Sequence, residues 1–450
     1  MFRVKKKSFR KDVVEVDNVP EITDNQTKNP FTEIMLLSGH ADIVHLLMVI
    51  DNTRLVSAAD DNTAIIWDVQ TGKKLHVLQH HTRRITCMLV LHQPQEYQGE
   101  DMPLSSVLLL TGSSDKTIRV WDIEDGSCLH IITEHNSSVK CLVAIKEENM
   151  FFSGGQDLCA WNEQGTLLYK LERTAEPSDI HTMLPIKNSR IVTASDKSSL
   201  MVYCIVRSPV DASDSSNIRI EPFKKLSPHR ESIRCLISVA DSMIASASLD
   251  GAIVIWSTHS LSYTRQLNYM KNYEGTDHMY PYSVQHLFAV DQKYIFASIG
   301  HGFFVYDAMS GDCLSRVKSA HHGKVLHSVL LCNGFLLATC SQDGSVRLWG
   351  SPTPVLVGGG SQPVGGGSCI ETFLGLNLKE LQACKEPTVP TLLGECLAHS
   401  GTVHTAVDCG IEGFASCGSD DLVVLWKNGT LQRQRRNETL RQILLYEYSM

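Results

Sequence analysis

Residues 339–349 read Thr339-Cys340-Ser341-Gln342-Asp343-Gly344-Ser345-Val346-Arg347-Leu348-Trp349, and His321 precedes them in the same unit. A hydroxyl residue in an apolar run, an Asp-Gly turn and a second apolar run ending in Trp describe two strands joined tightly. The phrase recurs. Trp67, Trp121, Trp161, Trp256, Trp349 and Trp426, all the tryptophans of the 450-residue chain, each end such a run. Five of them have an aspartate six residues earlier (Asp61, Asp115, Asp250, Asp343, Asp420) and a hydroxyl residue four before that (Ser57, Thr111, Ser246, Thr339, Ser416). Upstream of these five stands a histidine followed four residues later by a β-branched residue: His40/Val44, His81/Ile85, His229/Ile233, His321/Val325 and His399/Val403. The remaining unit keeps His135, Val139, Ser153 and Trp161, with its turn shortened to Gly154-Gly155-Gln156-Asp157.

A period of about 40 to 45 residues with four short strands per unit is the WD40 pattern, in which each unit is one propeller blade. The turn Asp, the loop His, the strand hydroxyl and the Trp N–H are placed to form one hydrogen-bond network per blade. Buried polar groups are costly unless all are paired, so such a network specifies the fold. Two intervals, 162–228 and 257–320, are too long for loops inside a compact domain. The first holds strand-like runs at Ile180–Leu184, Arg190–Asp196 and Leu200–Tyr203, the second at Val284–Phe288, Tyr294–Ser298 and Phe303–Asp307. Each reads as a degenerate blade, with Tyr203 or Tyr306 in place of Trp. The expected fold is therefore an all-β WD40 β-propeller of eight blades. A strand carrying Phe31, Glu33 and Met35 precedes the first blade and is expected to close the ring, since pairing it with the last blade covers an open sheet edge. The organisation read from the chain is a flexible tail at 1–28, a propeller at 29–430 with a blade-seven insertion at 350–391, and a short C-terminal amphipathic helix at 431–450.

Net charge −8, 20% charged and 43% hydrophobic residues describe a globular chain with ample core and argue against general nucleic-acid binding. Lys5-Lys6-Lys7 and Arg433, Arg435 and Arg436 are basic, but both clusters lie in the tails. Apolar runs fall short of the roughly 18 residues of a spanning helix, and the N-terminus carries no signal-peptide apolar region. The cysteines are scattered singly through strand patterns, as in a reducing cytosol. A cytoplasmic protein is expected.

The residues offer little for chemistry. The blade histidines are taken by the repeat, and no His-Glu-x-x-His, Cys-x-x-Cys or spaced Cys/His set accompanies them, so neither metal nor cofactor is expected. The runs Gly358-Gly359-Gly360 and Gly365-Gly366-Gly367 lack a following Lys-Ser/Thr and read as linker rather than phosphate cradle. Catalytic residues could be proposed only by borrowing from the blade networks, so an enzyme is not expected.

Interest shifts to what departs from the repeat. Residues 92–106 form an acidic insertion and 207–222 a polar loop. Within 350–391, Ile370, Phe373, Leu374, Leu378 and Leu381 recur at helical spacing, an apolar stripe that folds back on the propeller or meets a partner. At the C-terminus Leu440, Ile443, Leu444 and Tyr448 align on one side of a helix that packs on its own blade or docks in a partner groove.

Asn29-Pro30-Phe31-Thr32-Glu33, Ser153-Gly154-Gly155-Gln156-Asp157-Leu158-Cys159-Ala160-Trp161-Asn162, the 341–349 phrase and Leu425-Trp426-Lys427-Asn428-Gly429 together resemble the WD repeat-containing protein 41 family. The likeness runs through nearly the whole propeller. It implies a non-catalytic scaffold in a complex with two DENN-domain proteins. These are the Smith-Magenis region candidate 8 protein, joined directly, and the chromosome 9 open reading frame 72 protein, in the same complex. The resemblance further implies action on small GTPases, autophagy and lysosomal amino-acid signalling, with recruitment to the lysosomal membrane surface. Carried onto this chain, the partner contacts fall on Phe31, Glu33 and Met35 and on Leu440, Ile443, Leu444 and Tyr448. The family's blade-seven loop is associated with a lysosomal PQ-loop cationic amino-acid transporter, but here that loop is Gly-rich with Phe373 as its one aromatic. A different class of function is substrate receptor of a cullin-type ubiquitin ligase. Those receptors carry Trp-Asp-x-Arg, whereas here Trp67-Asp68 leads to Gln70 and Trp121-Asp122 to Glu124.

Overall fold

The computed structural model describes residues 19–22, 26–92, 107–171, 179–207, 218–268, 282–351, 369–375 and 386–447. Among the described residues thirty-two strands, numbered β1 to β32, form eight four-stranded antiparallel sheets. Seven sheets are four consecutive strands. The eighth joins β1 (Phe31–Ser38) to the last three strands of the chain. The innermost strands are β2 (Val44–Val49), β6 (Ile85–His92), β10 (Cys141–Ile145), β14 (Ile180–Ile186), β18 (Ile233–Ala240), β22 (Val284–Val290), β26 (Val325–Leu331) and β30 (Val403–Asp408). Each packs on the next, and β30 packs on β2, which completes an eight-bladed propeller.

The core is not in the blades but between them. Buried side chains fall into eight clusters, each shared by two successive blades. A middle strand therefore buries both faces, which is why Ile253-Val254-Ile255-Trp256 is continuously apolar rather than alternating. The two Trp-less blades obey the same geometry. Tyr203 lies opposite Ile191 and Tyr306 opposite Ile295, as Trp67 lies opposite Leu55. Both tyrosines are buried. The polar loop read at 207–222 is shorter than expected, because the blade-four outer strand already begins at Ile218.

The tight turns explain a second regularity. In the five units with full spacing, the residue after the turn aspartate is left-handed: Asn62, Lys116, Gly251, Gly344 and Asp421 have φ of 69°, 74°, 81°, 85° and 62°. Glycine or a short polar residue meets that demand most cheaply, and Lys116 is the exception the turn tolerates.

Ring closure rests on β1, which pairs antiparallel with β32 (Leu422–Asn428) from Phe31 opposite Asn428 to Ser38 opposite Leu422. A bulge lies between Phe31 and Glu33. It turns Phe31 into the seam between blades seven and eight, edge-on to Phe414 at 4.9 Å, while Met35 and Leu37 face the seam with blade one. Deleting residues 29–38 would bare the β32 edge and open two seams at once. Such a chain should lose its single sharp melting transition, and calorimetry showing an unchanged cooperative melt would contradict this account of closure.

Candidate functional site

The residues singled out by the repeat assemble inside the blades. His40 Nδ1 lies 2.9 Å from Asp61 Oδ2, His40 Nε2 lies 2.8 Å from Ser57 Oγ, and Trp67 Nε1 donates to Ser57 Oγ at 2.8 Å. If Nδ1 donates to the carboxylate, the serine hydroxyl must donate to Nε2 and accept from the indole, so every polar atom of the set is used. The same arrangement joins His81, Thr111, Asp115 and Trp121, with bonds of 2.8 Å throughout. It recurs in His321, Thr339, Asp343 and Trp349, and in His399, Ser416, Asp420 and Trp426. In blade five His229 and Trp256 both bond Ser246, but Asp250 stands 3.7 Å from His229 Nδ1, an ion-pair distance rather than a hydrogen bond. Blade three departs further. Its shortened turn leaves Asp157 on the Asn136 amide at 3.1 Å and near Lys170 at 3.4 Å, and His135 Nδ1 is buried without a partner.

Burial holds His40, His81 and His321 below the usual imidazole range despite their aspartates, and holds His135 at about 4. Burial raises Asp115, but hydrogen bonds from Thr117, the Thr82 amide and His81 outweigh it and hold that carboxyl at about 2. These histidines are neutral structural groups, occupied on both ring nitrogens wherever the set is complete. Nothing in that arrangement is poised for proton transfer.

The partner candidates divide. Phe31 is buried in one seam and Met35 is half-buried against the neighbouring one, while the side chains that β1 turns outward are Ile34 and Leu36, 51% and 56% exposed. Both alternations of this strand are apolar, which hid the facing from sequence alone. Glu33 is held by Arg436 of the C-terminal helix, whose Nη1 and Nη2 donate at 3.0 and 2.5 Å. That helix, α2 (Gly429–Glu447), starts directly from β32. Arg435 forks onto Glu412 at 2.8 and 2.7 Å, anchoring the first turns to blade eight. Leu440 and Ile443 are 57% and 50% exposed. At 3.6 residues per turn Leu440 lies about 180° around the axis from Leu431, so the apolar residues of the two halves face opposite ways rather than forming one stripe. Leu444 lies in the same helix, and Tyr448 is outside the described residues.

The insertion behaves differently from a free tether. Helix α1 (Cys369–Leu374) buries Ile370, Phe373 and Leu374 in the seam between blades six and seven, with Phe373 edge-on to Phe296 at 5.6 Å. These three side chains complete the propeller's own core and are not available to a partner. Leu378 and Leu381, the glycine runs, most of the 92–106 insertion and residues 1–18 lie outside the described residues. Among the described residues no cluster of His, Cys, Asp and Glu could hold a metal ion, and no helix is long and apolar enough to cross a membrane.

Comparison with known proteins sets this geometry in a lineage. The WDR41 β-propeller family description matches residues 6–436. WD repeat-containing protein 41 of Homo sapiens is 30% identical over 443 residues, covering 95% of this chain and 92% of that one, and its Mus musculus counterpart is 29% identical over 442 residues. Transducin beta-like protein 3 of Bos taurus is 24% identical over 371 residues, 78% of this chain but 43% of its own length. The crystal structure of the computationally designed Ika8 protein superposes with a TM-score of 0.61 over 87% of this chain at 18% identity, a likeness of fold alone.

Two outcomes follow from the placements. Phe373→Ala should cost about 3–5 kcal/mol in urea unfolding, as for a large side chain removed from a core, whereas Leu440→Ala should stay within about 0.5 kcal/mol. Acid should destabilise the fold in two stages. His135, held at about 4 against an ordinary 6.5, keeps its stabilisation above 6.5 and loses it as pH falls toward 4. Asp115, at about 2 against 3.8, loses its own between those values. Asp408, pushed up to about 6, offsets part of this between 6 and 3.8, while His286, at about 4, adds to the loss. Unfolding midpoints measured from pH 7 to pH 2 should therefore fall overall.

Proposed function

The chain belongs to the WDR41 β-propeller family, and from that membership we propose that it is the scaffold subunit of a DENN-domain complex, holding its partner at the outer edge of blade eight. The propeller and the kinship point to a non-enzymatic, protein-interaction fold. The single observation behind the proposed contact is that two elements of blade eight bring exposed apolar pairs together, Ile34 and Leu36 on β1 and Leu440 and Ile443 on α2, whereas the outer strands of blades one and two carry one such pair each. An edge strand with an outward apolar face is a surface that monomeric proteins usually blunt with charge. The Glu33 and Arg436 fork ties strand and helix into one unit.

On this reading the Smith-Magenis region candidate 8 protein seats directly on β1 and α2, and the chromosome 9 open reading frame 72 protein joins through it. The assembly acts in autophagy, small-GTPase regulation and lysosomal amino-acid signalling from the cytoplasm. If the blade-seven insertion supplies the lysosomal address, through a PQ-loop cationic amino-acid transporter, Ile370, Phe373 and Leu374 are not its contacts, because the propeller already buries them.

Co-purification tests the contact. Ile34→Asp with Leu36→Asp, and separately Leu440→Asp with Ile443→Asp, should lower capture of the Smith-Magenis region candidate 8 protein at least tenfold while leaving the melting temperature within a few degrees. Undiminished capture by either folded variant would remove that element from the interface. Recovery of cullin-ligase subunits in place of DENN proteins would replace the reading altogether.

A further inference from the structure

A cavity of about 490 Å³ opens between the innermost strands of blades six, seven and eight, away from the outer edge of blade eight. Its apolar walls include Phe288 and Val290 of β22 and Val329 and Leu330 of β26. The chemistry comes from His286, His327 and Asp408.

The two imidazoles lie with ring centroids 3.9 Å apart. His286 Nδ1 accepts from the Ser328 amide at 3.4 Å, and His327 Nδ1 accepts from the Ala406 amide at 3.5 Å. Burial keeps His286 at about 4, and burial together with its neighbour keeps His327 well below the usual range, so both rings are neutral. A neutral ring whose Nδ1 accepts carries its proton on Nε2. Each ring therefore has an N–H donor for which the described residues supply no partner.

Asp408 has the opposite need. Its Oδ1 accepts from the Gly410 amide at 3.0 Å, and among the described residues no Lys or Arg pairs with it. Burial pushes its carboxyl up to about 6, so it carries a charge at neutral pH without a cation to balance it.

We propose that this cavity binds an arginine or lysine residue, with the side-chain cation on Asp408, the alkyl stem along Phe288, Val290, Val329 and Leu330, and the carbonyl on the imidazole N–H groups. An anionic ligand is disfavoured by the lone carboxylate, and a purely apolar one leaves two donors and a charge unpaired. The wall is preset by the insertion: Phe373 packs on Phe296, which stacks on Phe288 at 4.9 Å. The cationic residue can be a free amino acid or part of a polypeptide, and the two sources are separable by blocking the termini.

Calorimetric titration of the full chain in the millimolar range would use N-acetyl-arginine amide, free L-arginine and N-acetyl-citrulline amide, the last lacking the charge. The blocked arginine should bind, its citrulline analogue should bind at least tenfold more weakly, and Asp408→Asn should abolish that preference while the protein still melts as a folded domain. Val329→Phe, which fills the cavity without touching its charge, should weaken arginine by a similar factor. Tighter binding of the blocked compound marks a polypeptide source and tighter binding of free L-arginine an amino acid. No heat with any probe, equal affinity for arginine and citrulline compounds, or a preference that survives Asp408→Asn would overturn the proposal.

Discussion

A four-stranded sheet has two faces to cover, and in this chain each face is covered by the next blade. Trp161 and Phe151 of blade three share a cluster with Cys87, Leu108 and Val120 of blade two, and every other seam repeats that arrangement. Because no blade owns a complete core, none can persist with its neighbour missing, and the run of blades must return on itself. That requirement explains why an N-terminal strand is lent to a C-terminal sheet across almost the entire sequence. It also explains the bulge in β1. One strand must feed Phe31 to one seam and Leu37 to the other, and a regular strand would send both to the same side.

The polar networks inside the blades follow an all-or-nothing logic that the seams impose. A buried donor left alone costs more than a pair removed together. Blades four and six lack the full set of His, Asp and Trp, and their remaining hydroxyls find other partners: Thr193 Oγ1 donates to the Met201 carbonyl at 3.4 Å, and Ser298 pairs with Ser328 across a seam at 2.9 Å. Blade three lost only the aspartate's position and blade five holds its aspartate 3.7 Å away, and in both the histidine Nδ1 is buried without the hydrogen-bonding carboxylate seen in blades one, two, seven and eight. Partial loss is thus the strained case, and complete loss the relaxed one.

What the chain discloses in sequence is what repeats. Spacing of His, Ser or Thr, Asp and Trp implies the blade, and two long intervals with strand-like runs imply the two blades that lack the phrase. What it conceals is facing. β1 is apolar on both alternations, so its buried side cannot be told from its exposed one without knowing which seam it enters. The stripe at Ile370, Phe373 and Leu374 has the spacing of a helix whether it meets a partner or its own propeller, and only the aromatic floor at Phe296 decides the matter. In α2 the spacing of Leu440 and Ile443 is visible, but their direction is set by where Arg435 and Arg436 clamp the first turns.

The cavity was hidden for a related reason. His286 and His327 hold the same place in successive repeats, two residues after Val284 and Val325, but the pattern asks for nothing in particular there, and Asp408 lies at a different point of a third repeat. The chain's own regularity nevertheless predicts that such places matter. In a complete blade the titratable groups hold one another neutral or paired, so a carboxylate and two imidazole N–H groups that line one cavity without partners among the described residues stand out. Single buried atoms such as His135 Nδ1 are left unpaired elsewhere, but a carboxylate and two N–H donors without partners among the described residues on one accessible wall are better explained by a ligand than by neglect.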